Sequence, residues 1–155
     1  DLQILLGSKI KRWVTVVEEI KRLRNPVEIH LRFHPRETES VKKLFEDAFK
    51  EKNIQTIIIN SIEYPLTEKL CEYMGVIGAR SGSLRIARVV SQKTFIIGLV
   101  NGVESGFYGK PINMGNTEGI YWLNEGDVIN EEMLAVPHLI KNTNPSVAEI
   151  INNII

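Results

Sequence analysis

The chain has 155 residues, 43% hydrophobic and 25% charged, which suits one compact globular domain with an ordinary core. Its 19 Lys and Arg balance 19 Asp and Glu, and no dense basic stripe with interleaved aromatics occurs, which argues against a nucleic-acid surface. No apolar run reaches the roughly 18 residues of a membrane-spanning helix, and a single cysteine leaves no internal disulfide and no thiolate metal cluster.

Charge is uneven along the chain. Residues 1–36 hold eight Lys and Arg against four Asp and Glu, and residues 101–155 hold two against seven. A basic leading end fits an anionic ligand, although basic residues on exposed helix faces are common. No basic start followed by an apolar stretch marks a signal peptide. The chain starts at Asp1 without Met, so a fragment, a processed chain or a piece of a longer protein is expected. The lone Cys71, beside Leu70 on an expected helix, reads as a buried structural thiol and points to the reducing cytoplasm.

In chain order, Leu2–Leu6 reads as a first strand stopped by Gly7-Ser8, with Ser8 capping a helix from Lys9 to Arg24. In that helix Ile10, Trp13, Val14, Val17 and Ile20 recur at helical spacing. Arg22 and Arg24 suit its C-terminus, and Asn25-Pro26 stops it. Val27–Phe33 is the second strand, with His30 a packed or edge residue inside it. Val41, Leu44, Phe45, Ala48 and Phe49 mark the second helix, with Thr38 or Glu39 in its first turn and Lys52-Asn53 at its end. Ile54–Ile59 is a third strand, rich in β-branched residues and expected to be buried on both faces.

Ser61–Pro65 is a turn. Pro65 can open a short helix through Met74 with Leu66 and Leu70 inward. Val76–Ala79 is a fourth strand. Ser81 or Ser83 caps a helix whose inner face is read as Leu84, Ile86, Ala87 and Val90. Thr94–Val100 is a fifth strand. This alternation is that of an α/β domain with a mainly parallel sheet. Residues 101–126 hold six of the eleven glycines and read as a long loop, functional or mobile, with Tyr121, Trp122 and Leu123 as a short strand. Glu131–Ile140 includes a short helix, with His138 near its end. Residues 144–155 read as a C-terminal helix capped by Asn144, with Pro145 at its first position. Val147, Ile150, Ile151, Ile154 and Ile155 form its apolar stripe, on which a second copy or a missing N-terminal domain would pack.

Two strand tips carry the candidate chemistry. One is His34, Pro35 and Arg36. The other is Arg80, Ser81, Gly82 and Ser83 at a helix N-terminus. If their strands lie side by side, both tips open at one carboxyl edge and make a phosphate or nucleotide site. His34 could act protonated or donate one ring N–H while neutral. Pro35 holds it extended. Arg36 can grip a phosphate in a bidentate way. Gly82 lets the backbone approach an anion, and Ser81 and Ser83 can both donate. A surface strand end and a plain serine N-cap are the bland alternatives. There is no Walker loop and no G-x-G-x-x-G, and the three histidines lack metal-ligand spacing, so no metal or cofactor is expected.

A strand ending in HPRE, followed about 45 residues later by a strand ending in a serine-rich turn, resembles the C-terminal half of bacterial GT-B sialyltransferases. These are the lipooligosaccharide and capsular polysialyltransferase types. The likeness covers roughly residues 1–100. Their HP motif matches His34-Pro35, and their serine motif matches Ser81-Gly82-Ser83 less well.

The resemblance implies a Rossmann-like three-layer α/β/α domain, one half of a GT-B fold, spanning 1–155 as a single nucleotide-sugar-binding domain. It implies CMP-sialic acid as donor, a saccharide hydroxyl as acceptor, inversion at the anomeric carbon and no essential metal. His34 would be the catalytic residue, stabilising the CMP phosphate as leaving group, with Pro35, Arg36, Arg80, Ser81, Gly82 and Ser83 binding substrate. The family's general base sits in an acidic pair before a glycine, absent upstream of His34. The chain alone is therefore expected to bind nucleotide without turnover. Location would be cytoplasmic, at the inner face of a bacterial membrane through the parent protein. CDP-alcohol polymer transferases and UDP-sugar 2-epimerases resemble the same half-domain. A non-catalytic nucleotide-binding or docking module is the alternative of another class.

Overall fold

Helical spacing from Lys9 to Arg24, and β-branched runs separated by helices after it, give a mixed α/β fold of the Rossmann-like type. A computed structural model describes residues 2–79, 82–91, 93–100 and 119–135. Arg80, Ser81, most of the 101–126 segment, His138 and the 144–155 segment lie outside the described residues. The chain divides into two compact units, Asp1–Pro65 and Leu66–Ile155.

The first unit opens with helix α1, Leu2–Arg24. The strand expected at Leu2–Leu6 is instead the first part of this helix. Leu and Gln are good helix formers, and Ile4 and Leu5 are 69% and 49% exposed, so no sheet neighbour draws them into a strand. Gly7 lies in open space, where a Cβ would meet nothing, and Ser8 is inside the helix rather than its cap. The buried stripe is Ile10, Val14, Val16, Val17 and Ile20, with Trp13 half-buried beside it. Asn25 ends α1 at φ 46°, its N–H donating to the carbonyl of Lys21 at 2.9 Å.

Strand β1, Ile29–Arg32, is shorter than the expected Val27–Phe33, and Val27 is fully exposed in the bend after Pro26. Helix α2, Glu39–Glu51, starts where its sequence says. Thr38 is the N-cap, and its Oγ1 accepts from Val41 N at 3.4 Å. It ends in a Schellman motif: Asn53 N donates to Lys50 O at 3.0 Å, and Ile54 N to Phe49 O at 3.0 Å. Ile54 and Phe49, the apolar pair that accompanies this motif, are both buried, whereas Leu44 is exposed.

Strand β2, Thr56–Ile59, pairs with β1 in parallel, with Arg32 opposite Ile59. The two strands and α2 form a β-α-β crossover, and α2 packs on α1 and on β2. β2 is not buried on both faces as its composition suggests: Ile57 is 45% and Ile58 37% exposed. This sheet holds two strands among the described residues.

In the second unit, α3 (Leu66–Lys69) tightens into a 3-10 turn at Leu70–Glu72. β3 (Gly75–Ala79), α4 (Gly82–Val90) and β4 (Phe95–Leu99) make a second parallel β-α-β crossover. β5 (Tyr121–Leu123) adds to β4 in parallel, giving the order β3-β4-β5. The short strand expected within the glycine-rich segment is therefore a sheet member. Central β4 is buried along its whole length. Leu70, Leu84, Ala87, Ile96 and Ile120 form the core. Gly98 lets the Trp122 ring lie across the sheet, since a Cβ there would collide with it.

Two expected faces are corrected. The buried side of α4 is Leu84, Ala87, Arg88 and the following Ser91, an i, i+3, i+4, i+7 stripe. Ile86 and Val90, expected inside, are 47% and 45% exposed on the opposite side. Cys71 is exposed, because Leu70 takes the inward position and the next residue of a 3-10 turn points about a third of a turn away. Among the described residues no helix is long and apolar enough to cross a membrane.

Candidate functional site

The HPR tip is held by its own hydrogen bonds. Phe33, the last residue before it, packs edge-on against Phe45 of α2, with ring centroids 5.5 Å apart. His34 O accepts from Glu37 N at 2.9 Å, closing a β-turn with Pro35 at its second position. Proline's fixed φ suits that position. The backbone N–H of Arg36 donates to His34 Nδ1 at 3.1 Å. A nitrogen that accepts must carry a lone pair, so this bond selects a neutral ring with its proton on Nε2. The turn thus presents His34 as an N–H donor. His34 is exposed, and a ligand can reach it.

The tip beside His34 is that of β2. Ser61 Oγ donates to Phe33 O at 3.3 Å, tying the two strand ends together. Asn60 organises the loop that follows. Its Oδ1 accepts from Ile62 N at 3.0 Å and Glu63 N at 3.2 Å, and its carbonyl accepts from Tyr64 N at 2.9 Å. Arg32, at the end of β1, donates to the carbonyl of Tyr64 and braces the same loop.

Between these tips lies an open cleft of about 330 Å³. Phe33, His34 and Pro35 form one wall, and Ile58, Ile59, Asn60, Ser61 and Ile62 the other. Glu39 and Lys42, from the first turn of α2, also line it. Lys42 Nζ pairs with Glu39 Oε1 at 2.7 Å, with the lysine side chain mostly covered and the glutamate exposed. The cleft therefore combines a neutral N–H donor, a cation shared with one carboxylate, and apolar walls. It lies at the carboxyl edge of a parallel pair, where ligands of α/β folds commonly bind.

Of the expected site residues, His34 and Pro35 line this cleft, and Arg36 contributes its backbone N–H to the histidine. Arg36's side chain is exposed and does not line the cleft. Gly82 opens α4, and Ser83 lies in that helix's first turn rather than at its cap. Ser81, like Arg80, lies outside the described residues. The strand hydrogen-bonded to β1 is β2, not the strand that ends in the serine turn; β3 pairs with β4. Strands consecutive in sequence and joined by one helix commonly neighbour each other.

Sequence reasoning missed Asn60, Ser61 and Lys42. The sequence shows that β2 also ends in polar residues, but only its pairing with β1 brings that tip beside His34. His30, in mid-strand, pairs with Glu28 at 2.7 Å. Among the described residues no group of three His, Cys, Asp or Glu could hold a metal ion. Comparison with protein families, curated proteins and solved structures returns no match to this chain.

Proposed function

We propose that the chain is a nucleotide-sugar-binding domain of a glycosyltransferase, one half of a GT-B fold of the bacterial sialyltransferase type, and that the His34 cleft takes the phosphate of CMP. The supporting observation is the Arg36 N–H to His34 Nδ1 bond, which leaves Nε2–H as a donor at the carboxyl edge of a parallel pair. An N–H donor there can hydrogen-bond a phosphate oxygen.

The chemistry is a displacement at the anomeric carbon of sialic acid. The bond from that carbon to the CMP phosphate oxygen breaks, and its electron pair leaves with CMP. The acceptor hydroxyl oxygen forms the new bond, and its proton passes to a base that this reading places in another part of the parent protein. His34 stabilises the charge that grows on the departing phosphate. Lys42, close to the same cleft, adds positive potential. The setting is the cytoplasmic face of a bacterial membrane, with a lipooligosaccharide or capsular saccharide as acceptor.

A thermal-shift and calorimetric panel of CMP, CMP-sialic acid, CDP-glycerol, UDP and UDP-N-acetylglucosamine tests the reading. Stabilisation by CMP and CMP-sialic acid above the others supports it. A preference for CDP-glycerol or UDP-N-acetylglucosamine moves the chain to the polymer transferases or the epimerases. The part given to Ser81 and Ser83 by resemblance is tested on its own with Ser83→Ala. A second reading, a partner-docking module, draws on the apolar outer side of α4, where Ile86, Val89 and Val90 are 47%, 54% and 45% exposed. No response to any nucleotide favours that reading.

A further inference from the structure

Asn60 has no assigned role, yet its geometry is that of a preset donor. One side-chain atom accepts two backbone N–H groups, from Ile62 at 3.0 Å and Glu63 at 3.2 Å. An atom that accepts twice is the carbonyl oxygen, so the other end of the amide is the NH2 group, which only donates. Those two bonds fix the side chain before any ligand arrives. Asn60 lines the same cleft as His34 and Lys42.

We infer that Asn60 binds the phosphate, its Nδ2–H acting with His34 Nε2–H and the Lys42 ammonium as three donors from three different elements. Donors on β1's tip, β2's tip and the first turn of α2 suit a tetrahedral anion, whose oxygens point apart, better than a planar carboxylate. The ligand class is a phosphate ester, and this assignment rests on the proposal that the cleft takes CMP. Apolar Ile58 and Ile62 of the same cleft offer contact to the part of the ligand beyond its phosphate.

Asn60→Asp is the discriminating variant. Its oxygen can still accept from Ile62 N and Glu63 N, so the loop is retained, but the donor NH2 becomes a negative oxygen facing the anion. Calorimetry with CMP and with inorganic phosphate should show affinity falling by at least about 30-fold, with the melting temperature of the free protein nearly unchanged. Should Asn60→Asp melt early, the wild-type protein carries the test. The Asn60 side-chain NH2 resonances must then shift on adding CMP, and unshifted resonances in the CMP-saturated protein overturn the inference. Wild-type binding of CMP with Asn60→Asp within about twofold of it also overturns the inference, while leaving the nucleotide reading intact. Absence of wild-type binding to both CMP and phosphate overturns the two together.

Discussion

The backbone N–H of Arg36 donates to Nδ1 of His34 across 3.1 Å, so the residue two places along the chain sets which ring nitrogen carries the proton. The histidine side chain is exposed, and its hydrogen bond within the protein is local to the turn. His34→Ala should therefore weaken CMP binding by about tenfold, the loss of one hydrogen bond to a charged group. The melting temperature of the ligand-free protein should move little. Calorimetry and a thermal melt check the two halves. A large fall in melting temperature would make His34 structural instead.

Glu39 competes with an anion for Lys42, since the two side chains pair at 2.7 Å. Glu39→Gln removes that competitor and one negative charge from the cleft. Anion affinity should rise by about threefold at low salt, with the gain fading as salt is added, as for other exposed charges. Inorganic phosphate titrations at two ionic strengths measure it. A loss of affinity would mean that Glu39 positions Lys42 rather than restraining it.

Asn53 sits at φ 55° in the Schellman motif that ends α2. Asn53→Val places a β-branched residue in the left-handed region and should cost about 1–2 kcal/mol in urea unfolding. Asn53→Gly should be neutral or slightly stabilising. Equal stability of the Val and Gly variants would contradict the motif.

Leu70 and Cys71 are neighbours with opposite fates: Leu70 is fully buried in the second unit's core and Cys71 is exposed. Leu70→Ala should destabilise by about 2–5 kcal/mol, as for other large-to-small core changes. Cys71 should react with a thiol reagent in the native protein as fast as a small-molecule thiol of similar acidity, whereas a protected thiol would contradict its exposure.

Much of the fold was legible in the sequence because local signals agreed with tertiary packing. Thr38 and Lys52-Asn53 bound α2, Asn25-Pro26 closes α1, and the β-branched runs at 56–59 and 95–99 are strands. The misread places are those where a short window carries little information. Leu2–Leu6 is five residues long and could be strand or helix on pattern alone. Only its continuation into the amphipathic run after Gly7 decides for helix. On α4 the apolar residues outnumber the inward positions, so the pattern alone puts Ile86 and Val90 inside, whereas Arg88 and Ser91 occupy that stripe. Cys71 is exposed because its neighbour Leu70 takes the inward position, and the next residue of a helical turn points about a third of a turn away. At the site, His34 stood out by its proline. Lys42 and Asn60 did not, because their place in the cleft depends on β2 being the neighbour of β1, a pairing that no local window contains.

The most direct measurement is two-dimensional NMR of the His34 imidazole nitrogens and the Asn60 side-chain amide during a CMP titration. The free protein should show Nδ1 as the acceptor nitrogen and Nε2 as the protonated one, and CMP should shift His34 Nε2–H and the Asn60 NH2 along one saturating curve. A ring protonated on Nδ1, or CMP binding that leaves both residues unmoved, would contradict a phosphate site at this strand edge.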